Sequence, residues 1–349
     1  MNKEIESEPK TLIGGGVAKW FNTMMPGAWA AFLSLAALAG LGVLFLWWVP
    51  DTTRFAKNLG EHWMFRRQML RVGVGLSFFF LSLMVGWKRW LKAAPFVALG
   101  WLVVLAVAFC QMPVKGRHFL SVGSVGFDVW DWFEFVAALF SAWLAEKLAV
   151  RRVVSFVMII FAIYVCGFAV RMVVDNDRRE CVAAFFGCEL PDASQGENDL
   201  ARLWGQNESS EVLREAKWFT PSDKDRRKMF LPGRFSRNAP VAAALEKGKW
   251  IHFLVLALLG AFVYALVCCW RRTESVGKKV FVAVAGLSVV LIPALHGYGV
   301  YLGFIPPILY SGIPLISSGG NVWPVLIFAG VLVSIARDDA ATDTAKGKP

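Results

Sequence analysis

The stretch SGIPLISSGGN, residues 311–321, lies between two strongly apolar segments, VGKKVFVAVAGLSVVLIPALHG at 276–297 and VWPVLIFAGVLVSIARDD at 322–339. Its Pro and paired Gly residues break a helix, and a break at membrane depth leaves backbone amides that no water can satisfy. Such a break is tolerated only where it packs against protein or lines a wet cavity. The stretch therefore predicts a membrane protein built from helices, with a candidate site at the break.

The composition of the chain is also that of a membrane protein. Of its 349 residues, 56% are hydrophobic, and they include 16 Trp and 28 Phe. A soluble domain is usually about 45–50% apolar and lacks repeated apolar runs of about 20 residues. The net charge of +11 would suggest nucleic-acid binding in a soluble chain, but loops that flank membrane spans explain it here. We therefore expect a membrane protein with no nucleic-acid partner.

Apolar runs along the chain predict about eight transmembrane helices. The first run begins too late and is too long for a cleaved signal peptide, so it is predicted to be an uncleaved span. The expected fold is all-α and polytopic. The predicted spans are 29–49, 72–87, 96–112, 132–145, 153–170, 251–270, 280–295 and 322–336.

Lysine and arginine in the short loops set the predicted orientation. The loops WKRWLK, EKLAVRR and RRTESVGKK and the C-terminal tail carry basic residues, which places them and both termini in the cytoplasm. The loop before the second span opposes this assignment, because it would lie outside while carrying Arg54, Lys57, Arg66, Arg67 and Arg71. Either the orientation is wrong or these cations have a function at the outer face.

A long polar region divides the spans into two bundles. It holds half of the 26 acidic residues, and we expect it outside because long domains cross membranes regardless of charge. Within it, Cys181 and Cys188 leave two alternatives open, a local disulfide or two free thiols. The predicted order is a cytoplasmic segment at 1–28, a first bundle at 29–173, a large extracytoplasmic loop at 174–249, a second bundle at 250–337 with a broken segment at 303–321, and a cytoplasmic tail at 338–349.

The C-terminal part of the chain resembles a known family. The run HGYGVYLGFIPPILYSGIPLISSGGNVWPVLIFAGVLVSIAR, at 296–337, is similar to the closing signature of the SEDS family, the FtsW, RodA and SpoVE proteins. That signature has Gly-x-x-Pro, a Gly, Leu-Pro-x-x-Ser-x-Gly-Gly-Ser and a last span ending in Ser-Ile-x-Arg. Asn321 stands where the family has its final Ser. The matching residues are Gly303, Pro306, Pro314, Ser317, Gly319, Gly320 and Ser-Ile-Ala-Arg at 334–337.

Three upstream stretches are similar to family motifs as well, so that the resemblance covers most of the chain apart from about 174–228. HWMFRRQMLRVGVGL resembles the family's Phe-x-x-Lys-Arg-Gln run before its second span, through Phe65, Arg66, Arg67 and Gln68. GRHFLSVGSVGFDVWDWFEF resembles Arg-Trp-Ile-x-Leu-Gly followed by an acid, through His118, Phe119, Leu120, Gly123 and Glu134. MFLPGRFSRNAPVAAALEKG resembles the segment that ends the family's outer loop, through Leu231, Pro232, Glu246 and Gly248.

The chain also departs from the family pattern. The family has ten spans with its large loop after the seventh, whereas eight spans with the loop after the fifth are predicted here. The family's loop aspartate, proposed to activate the acceptor, falls on Arg237 or Asn238, and neither side chain is a base. The Gln-Pro-Ser before Glu134 and the Lys three residues after it are absent, since Ala137 takes the last position. These departures bear on catalysis more than on topology, because losing two spans together preserves the orientation.

The resemblance implies a function in the bacterial cytoplasmic membrane. SEDS proteins polymerise glycan strands from lipid II, a disaccharide peptide on undecaprenyl pyrophosphate, together with a class B penicillin-binding protein. The reaction needs cations for the leaving pyrophosphate and a base for the attacking hydroxyl, and no cofactor or metal is expected. Glu134 is the expected catalytic base. The expected substrate-binding residues are Arg66, Arg67, Arg117 and His118 at the outer face and Ser317, Gly319 and Gly320 at the break.

Each assignment has a structural alternative. Arg66 and Arg67 could anchor a span at the interface, His118 could be structural, and the break could be a plain turn between spans. For the whole chain, one alternative to a polymerase is a non-catalytic SEDS-like scaffold of the division machinery, which the missing aspartate favours. Another is an O-antigen polymerase or ligase, which also pairs many spans with a large outer loop.

Overall fold

The structure of the chain, a computed structural model, is a helical bundle, and it confirms the all-α polytopic class. The described residues are 26–48, 62–115, 119–122, 125–148, 182–183, 217–219, 239–302, 304, 313–316 and 322–345. Their helices are α1 (Pro26–Trp48), α2 (Trp63–Val85), α3 (Trp87–Lys115), α4 (Val129–Leu148), α5 (Ala239–Lys247), α6 (Trp250–Arg272), α7 (Val276–Ala285), α8 (Ile292–Tyr301) and α9 (Val322–Ala345). A π-helical turn at Gly286–Leu291 joins α7 to α8.

Most of the predicted spans have a helical counterpart. Among the described residues, five stretches are long and apolar enough to cross a membrane, namely Gly27–Trp48, Trp63–Val85, Trp87–Ala108, Trp250–Arg272 and Val276–Val300. The predicted spans at 132–145 and 322–336 lie in α4 and α9, which carry more charge. The predicted span at 153–170 and most of the predicted loop at 174–249 lie outside the described residues.

The second and third spans begin earlier than the apolar pattern predicts. α2 begins at Trp63 rather than at residue 72, and α3 begins at Trp87 rather than at residue 96. Their first turns contain Arg, Lys and Gln, which are good helix formers and can hold a polar head at the interface while the stem packs on protein. The predicted start of each span is therefore wrong.

Tryptophans lie near the helix ends. At one end of the bundle, Trp48, Trp63 and Trp250 occupy the end of α1 and the starts of α2 and α6. At the other end, Trp87 starts α3 and Trp270 lies in the last turn of α6. Because indole rings favour the boundary between hydrocarbon and headgroups, both ends of the bundle are suited to the membrane interfaces.

The central helix of the bundle is α9. Every residue from 322 to 336 is buried except Trp323, which is half-buried. This stretch is apolar on all sides, as expected of a helix that neighbours surround completely. Its most extensive contacts are with α2, followed by α1, and it also touches α3, α4 and α7.

Two glycines allow α2 and α9 to approach closely. A side chain at Gly75 of α2 would place its Cβ 2.5 Å from Leu326 Cδ1 of α9. From the other side, a Cβ at Gly330 would lie 2.9 Å from that of Ser82 on α2. Small residues let helix backbones pack directly on each other, and such packing is one of the forces that associate helices in lipid.

The helix ends form two layers. In one layer, which we call the Lys278 end, Lys278 of α7 forms an ion pair with Asp339 of α9. In the same layer, the Ser275 hydroxyl donates a hydrogen bond to Glu146 of α4. The opposite layer, the Gln68 end, holds the end of α1 and the starts of α2, α6 and α9. The packing is the same whichever layer faces the cytoplasm, so the orientation remains a prediction.

Two local features were not evident from the apolar pattern. Strands β1 (Phe119–Val122) and β2 (Val125–Asp128) pair antiparallel, with Val122 opposite Val125 across Gly-Ser, a sequence suited to a two-residue hairpin loop. The π-helical turn ends two residues before Pro293, which has no N–H to continue the regular α-helical ladder. π-Helical turns of this kind occur frequently at functional sites.

Candidate functional site

The described part of the broken segment is buried inside the bundle. Residues 313–316, Ile-Pro-Leu-Ile, are all buried. Gly42 of α1 lies directly against the carbonyl group of Leu315 and the Cα atom of Ile316, where a side chain would collide. This part of the stretch therefore packs against protein, as a helix break in a membrane requires.

Gln68 of α2 holds this segment through its backbone. The Gln68 side chain is 0% exposed, and its Nε2 atom donates a hydrogen bond of 3.2 Å to the carbonyl oxygen of Leu315. Leu315 has φ 67°, a left-handed conformation that costs a non-glycine residue about 1–2 kcal/mol. Strain of this kind persists where the surroundings fix the backbone, and here Gln68 and Gly42 do so.

A second hydrogen bond ties α2 to the chain on the far side of the break. The indole Nε1 of Trp323, at the start of α9, donates to the carbonyl oxygen of Arg71 at 3.0 Å. Gln68 and Arg71 lie about one turn apart on α2, so one helix fixes both flanks of the break. Residues 317–321, which include the predicted ligands Ser317, Gly319 and Gly320, connect these two anchored points and lie outside the described residues.

Arg66 and Arg67 lie in the first turns of α2 and are exposed, whereas Gln68 points inward. The Arg67 guanidinium lies 5.8 Å from the centre of the Trp63 ring. This cation–π contact is worth about 0.5–1 kcal/mol at an exposed site and is what interfacial anchoring predicts. An exposed position at the Gln68 end is equally what a residue that binds pyrophosphate needs.

Glu134 is buried near the start of α4, with an exposed fraction of 9%. Its neighbour Phe135 packs edge-on against Trp90 of α3 and Phe281 of α7. Acidic side chains inside a membrane are rare, costly and usually functional. α4 and α2 both pack on α9, which therefore links the helix of Glu134 to the helix of the two arginines.

Several predicted residues cannot be placed. Arg117 and His118, together with Arg237 and Asn238 at the family's aspartate position, lie outside the described residues. Cys181 and Cys188 lie outside them too. All of these assignments remain predictions.

The structure adds polar residues that the sequence pattern alone did not single out. Gln68 is one. His252 of α6 and Tyr298 of α8 pack edge to face, with ring centroids 5.9 Å apart. His296, two residues before Tyr298 in the sequence, is buried. The available signal is the presence of two histidines within apolar runs, since ionisable residues inside a membrane mark functional positions.

No family model matches the sequence, and no curated protein matches it. Seven solved chains match in structure. The rod shape determining protein RodA of Thermus thermophilus is similar at 17% identity, with 89% of this chain and 96% of that chain covered and a TM-score of 0.58. The chain has the SEDS fold.

Two further structures agree. An aspartate-to-alanine mutant of the same RodA matches at 19% identity, with 89% of this chain and 97% of that chain covered and a TM-score of 0.60. A chain described in work on the structural coordination of polymerization and crosslinking by a peptidoglycan synthase complex matches at 17% identity, with the same coverage and TM-score. The recognition made from the sequence motifs is confirmed at the level of the fold.

The SEDS fold brings two of the resembling motifs together. FRRQ at 65–68 and the stretch at 311–321 are far apart in the sequence, yet the last residue of the first binds the backbone of the second. The glutamine of this motif is thus the residue that couples it to the broken segment.

Proposed function

We propose that the chain is a peptidoglycan glycan-strand polymerase, a lipid II glycosyltransferase of cell division or cell-wall elongation. It would act in the bacterial cytoplasmic membrane with both termini in the cytoplasm, and with a class B penicillin-binding protein as partner. The SEDS fold and the likeness to a chain from a peptidoglycan synthase complex support this proposal.

The proposed residues supply the two requirements of the reaction. An acceptor sugar hydroxyl attacks the anomeric carbon of the donor, the bond from that carbon to the pyrophosphate oxygen breaks, and undecaprenyl pyrophosphate leaves. Arg66, Arg67, Arg117 and His118 would neutralise the leaving pyrophosphate, and backbone amides near Gly319 and Gly320 would bind its oxygens. Glu134 would accept the proton of the hydroxyl.

One observation carries the proposal more than any other, namely the bond between Gln68 and Leu315. It holds the broken segment at a fixed place beside the turn of α2 that carries Arg66 and Arg67. Groups that must bind one pyrophosphate need a fixed separation, because misplacement of binding groups by about 1 Å can cost a factor of about 100 in rate.

Synthesis from lipid II by the purified full chain tests the proposal. The chain is reconstituted in vesicles with lipid II, with and without a class B penicillin-binding protein, and glycan strands are separated by size. Strands are expected when the wild-type chain is present and none in vesicles without it. Binding of lipid II with no strands under either condition would contradict polymerase activity.

A non-catalytic scaffold is the second candidate. The observation that favours it is the residue pair Arg237 and Asn238 at the family's aspartate position, since neither can act as a base. A scaffold would bind its partner and lipid II at wild-type strength yet produce no strands. No comparable observation favours an O-antigen polymerase or ligase.

A further inference from the structure

His62 directly precedes α2 at the Gln68 end, one turn before the two arginines of that helix. The backbone N–H of Arg66 donates to the carbonyl oxygen of His62 at 3.0 Å, so the hydrogen-bond ladder of α2 already includes His62. Residues four apart on a helix lie on the same face, with their Cβ atoms about 5–6 Å apart. His62 and Arg66 are therefore neighbours on one face at the start of α2.

The imidazole ring of His62 is held by stacking. Its centroid lies 4.5 Å from that of the Trp47 ring, near the end of α1, and the two ring planes are 18° apart. The Trp47 ring in turn meets the Phe65 ring edge-on, with centroids 4.9 Å apart. Aromatic contacts of this kind favour particular ring orientations. The contacts between α1 and α2 therefore fix the direction in which the imidazole points.

The ring nitrogens of His62 have no hydrogen-bond partner among the described residues. Nδ1 is buried, whereas Nε2 is not. A phenylalanine would stack on Trp47 without leaving any polar atom unpaired, and a buried polar atom without a partner calls for an explanation. A neutral imidazole can carry its proton on Nε2, which makes this nitrogen a hydrogen-bond donor. His62 thus offers a donor for which the described part of the chain supplies no acceptor.

The cations beside His62 also lack an acidic partner. Arg66 and Arg67 are exposed, and within the described ranges neither forms an ion pair with a carboxylate. The Lys278 end differs, because Lys278 there is paired with Asp339. The start of α2 therefore concentrates positive charge and hydrogen-bond donors, and such a cluster favours an anionic ligand.

A pyrophosphate fits this cluster better than a single phosphate does. Its two phosphoryl groups present enough oxygen atoms to accept from a guanidinium fork and from an imidazole N–H at the same time. It also carries more negative charge than the phosphate of an ordinary phospholipid. Because α2 begins at a membrane interface, the pyrophosphate of a lipid can reach His62 and Arg66 without leaving the membrane.

We propose that His62 is a further ligand of a lipid-linked pyrophosphate, to which Nε2 donates a hydrogen bond while Arg66 binds the same group. Trp47 is a positioning residue, because it sets the direction of the imidazole. The inference rests on the proposed function for the identity of the ligand, and it adds a residue to the same site.

Binding of undecaprenyl pyrophosphate to the purified full chain tests the assignment apart from catalysis. The chain is embedded in phosphatidylcholine nanodiscs and titrated with undecaprenyl pyrophosphate, undecaprenyl phosphate or phosphatidylglycerol, and bound lipid is counted by native mass spectrometry. His62→Phe keeps the stack on Trp47 and removes both nitrogens. It should weaken binding of undecaprenyl pyrophosphate about tenfold, as expected for the loss of a hydrogen bond to a charged group. Undecaprenyl phosphate should be affected less, and phosphatidylglycerol not at all.

Three further variants separate binding from packing. His62→Gln supplies a side-chain donor again and should recover part of the affinity. Trp47→Leu keeps the imidazole but removes its stacking partner, and it should lower the affinity by an intermediate amount. Leu70→Met, at an exposed position two turns along α2, should change nothing. The unfolding midpoint in detergent of His62→Phe should equal that of the wild type, because the stack is kept.

Three outcomes would overturn the assignment. They are unchanged binding with His62→Phe, an equal loss for all three lipids, and failure of the wild-type chain to bind undecaprenyl pyrophosphate. If the wild-type chain makes glycan strands and His62→Phe binds normally, this inference fails alone. If His62→Phe weakens binding as expected but the wild-type chain makes no strands, the pyrophosphate site stands and the polymerase proposal fails.

Discussion

Gln68 and Leu315 are 247 residues apart in the sequence and are joined by a hydrogen bond of 3.2 Å inside the bundle. Only half of the Gln68 amide is used, because its Oε1 atom is buried with no hydrogen-bond partner among the described residues. A half-satisfied buried amide is a poor choice for stability alone. We therefore interpret Gln68 as a residue that positions the broken segment.

Gln68→Leu separates positioning from stability. The change leaves the carbonyl of Leu315 without its donor, at about 1–3 kcal/mol, but also removes an unpaired amide oxygen of similar cost. We expect the unfolding midpoint in detergent to move by only a few degrees and lipid II polymerisation to fall at least about tenfold.

Ser77→Ala is the matched control on the same helix, because Ser77 is exposed and, within the described part of the chain, its hydroxyl bonds only to Gly73 of its own turn. It should leave both quantities unchanged. If Gln68→Leu lowers the unfolding midpoint but its folded fraction synthesises strands at the wild-type rate, Gln68 is a packing residue.

The close approach of α2 and α9 predicts a contrast between two glycines of α2. Gly75→Val forces a branched side chain against Leu326 and Trp323, which should destabilise the protein by about 1–3 kcal/mol. Gly73→Val, two residues away, meets open space and should be neutral. Folded yield and unfolding midpoint in detergent measure both. Equal behaviour of the two variants would mean that α2 and α9 do not pack as described.

Glu134→Gln tests the proposed base. The amide keeps the size of the side chain but cannot accept a proton, so strand synthesis should fall to background. Asp223→Asn combined with Asp225→Asn, in the predicted loop, should keep most of the activity. Protein level and partner binding serve as controls for folding. A fully active Glu134→Gln enzyme would refute this assignment.

The predicted orientation can be checked by labelling single cysteines in a background without the native ones. A membrane-impermeant thiol reagent added from outside should reach a cysteine at 209 in the predicted outer loop. It should not reach a cysteine at 274 beside Ser275, because the Lys278 end is predicted to face the cytoplasm. Labelling at 274 but not at 209 would reverse the orientation of the whole bundle.

The sequence predicts much of the fold because membrane helices carry a strong signal. Long apolar runs bounded by charged residues predict the starts of α1, α6 and α9 to within a few residues. The starts of α2 and α3 are missed because Arg66, Gln68 and Lys88 look like loop residues to a hydropathy pattern. Whether a polar residue becomes part of a helix depends on what it packs against, and those contacts belong to the tertiary structure.

The site is less predictable than the fold for the same reason. The broken stretch is recognisable from its Pro and Gly residues alone. That Gln68 is its binding partner depends on α2 and α9 lying side by side, which no local pattern encodes. Arg66 and Gln68 differ in role because they point to opposite sides of one turn, and the exact rotation of α2 decides which side is buried.

The central position of α9 has a consequence for how the protein is made in the cell. This central helix is translated after α1 to α8. At about 5–20 residues per second, the roughly 270 residues between α1 and α9 take on the order of 14 to 54 seconds to synthesise. During that interval the faces of α1 and α2 that pack on α9 lack this partner. A ribosome that stalls before residue 322 leaves a bundle with no centre, which is a natural substrate for membrane quality control.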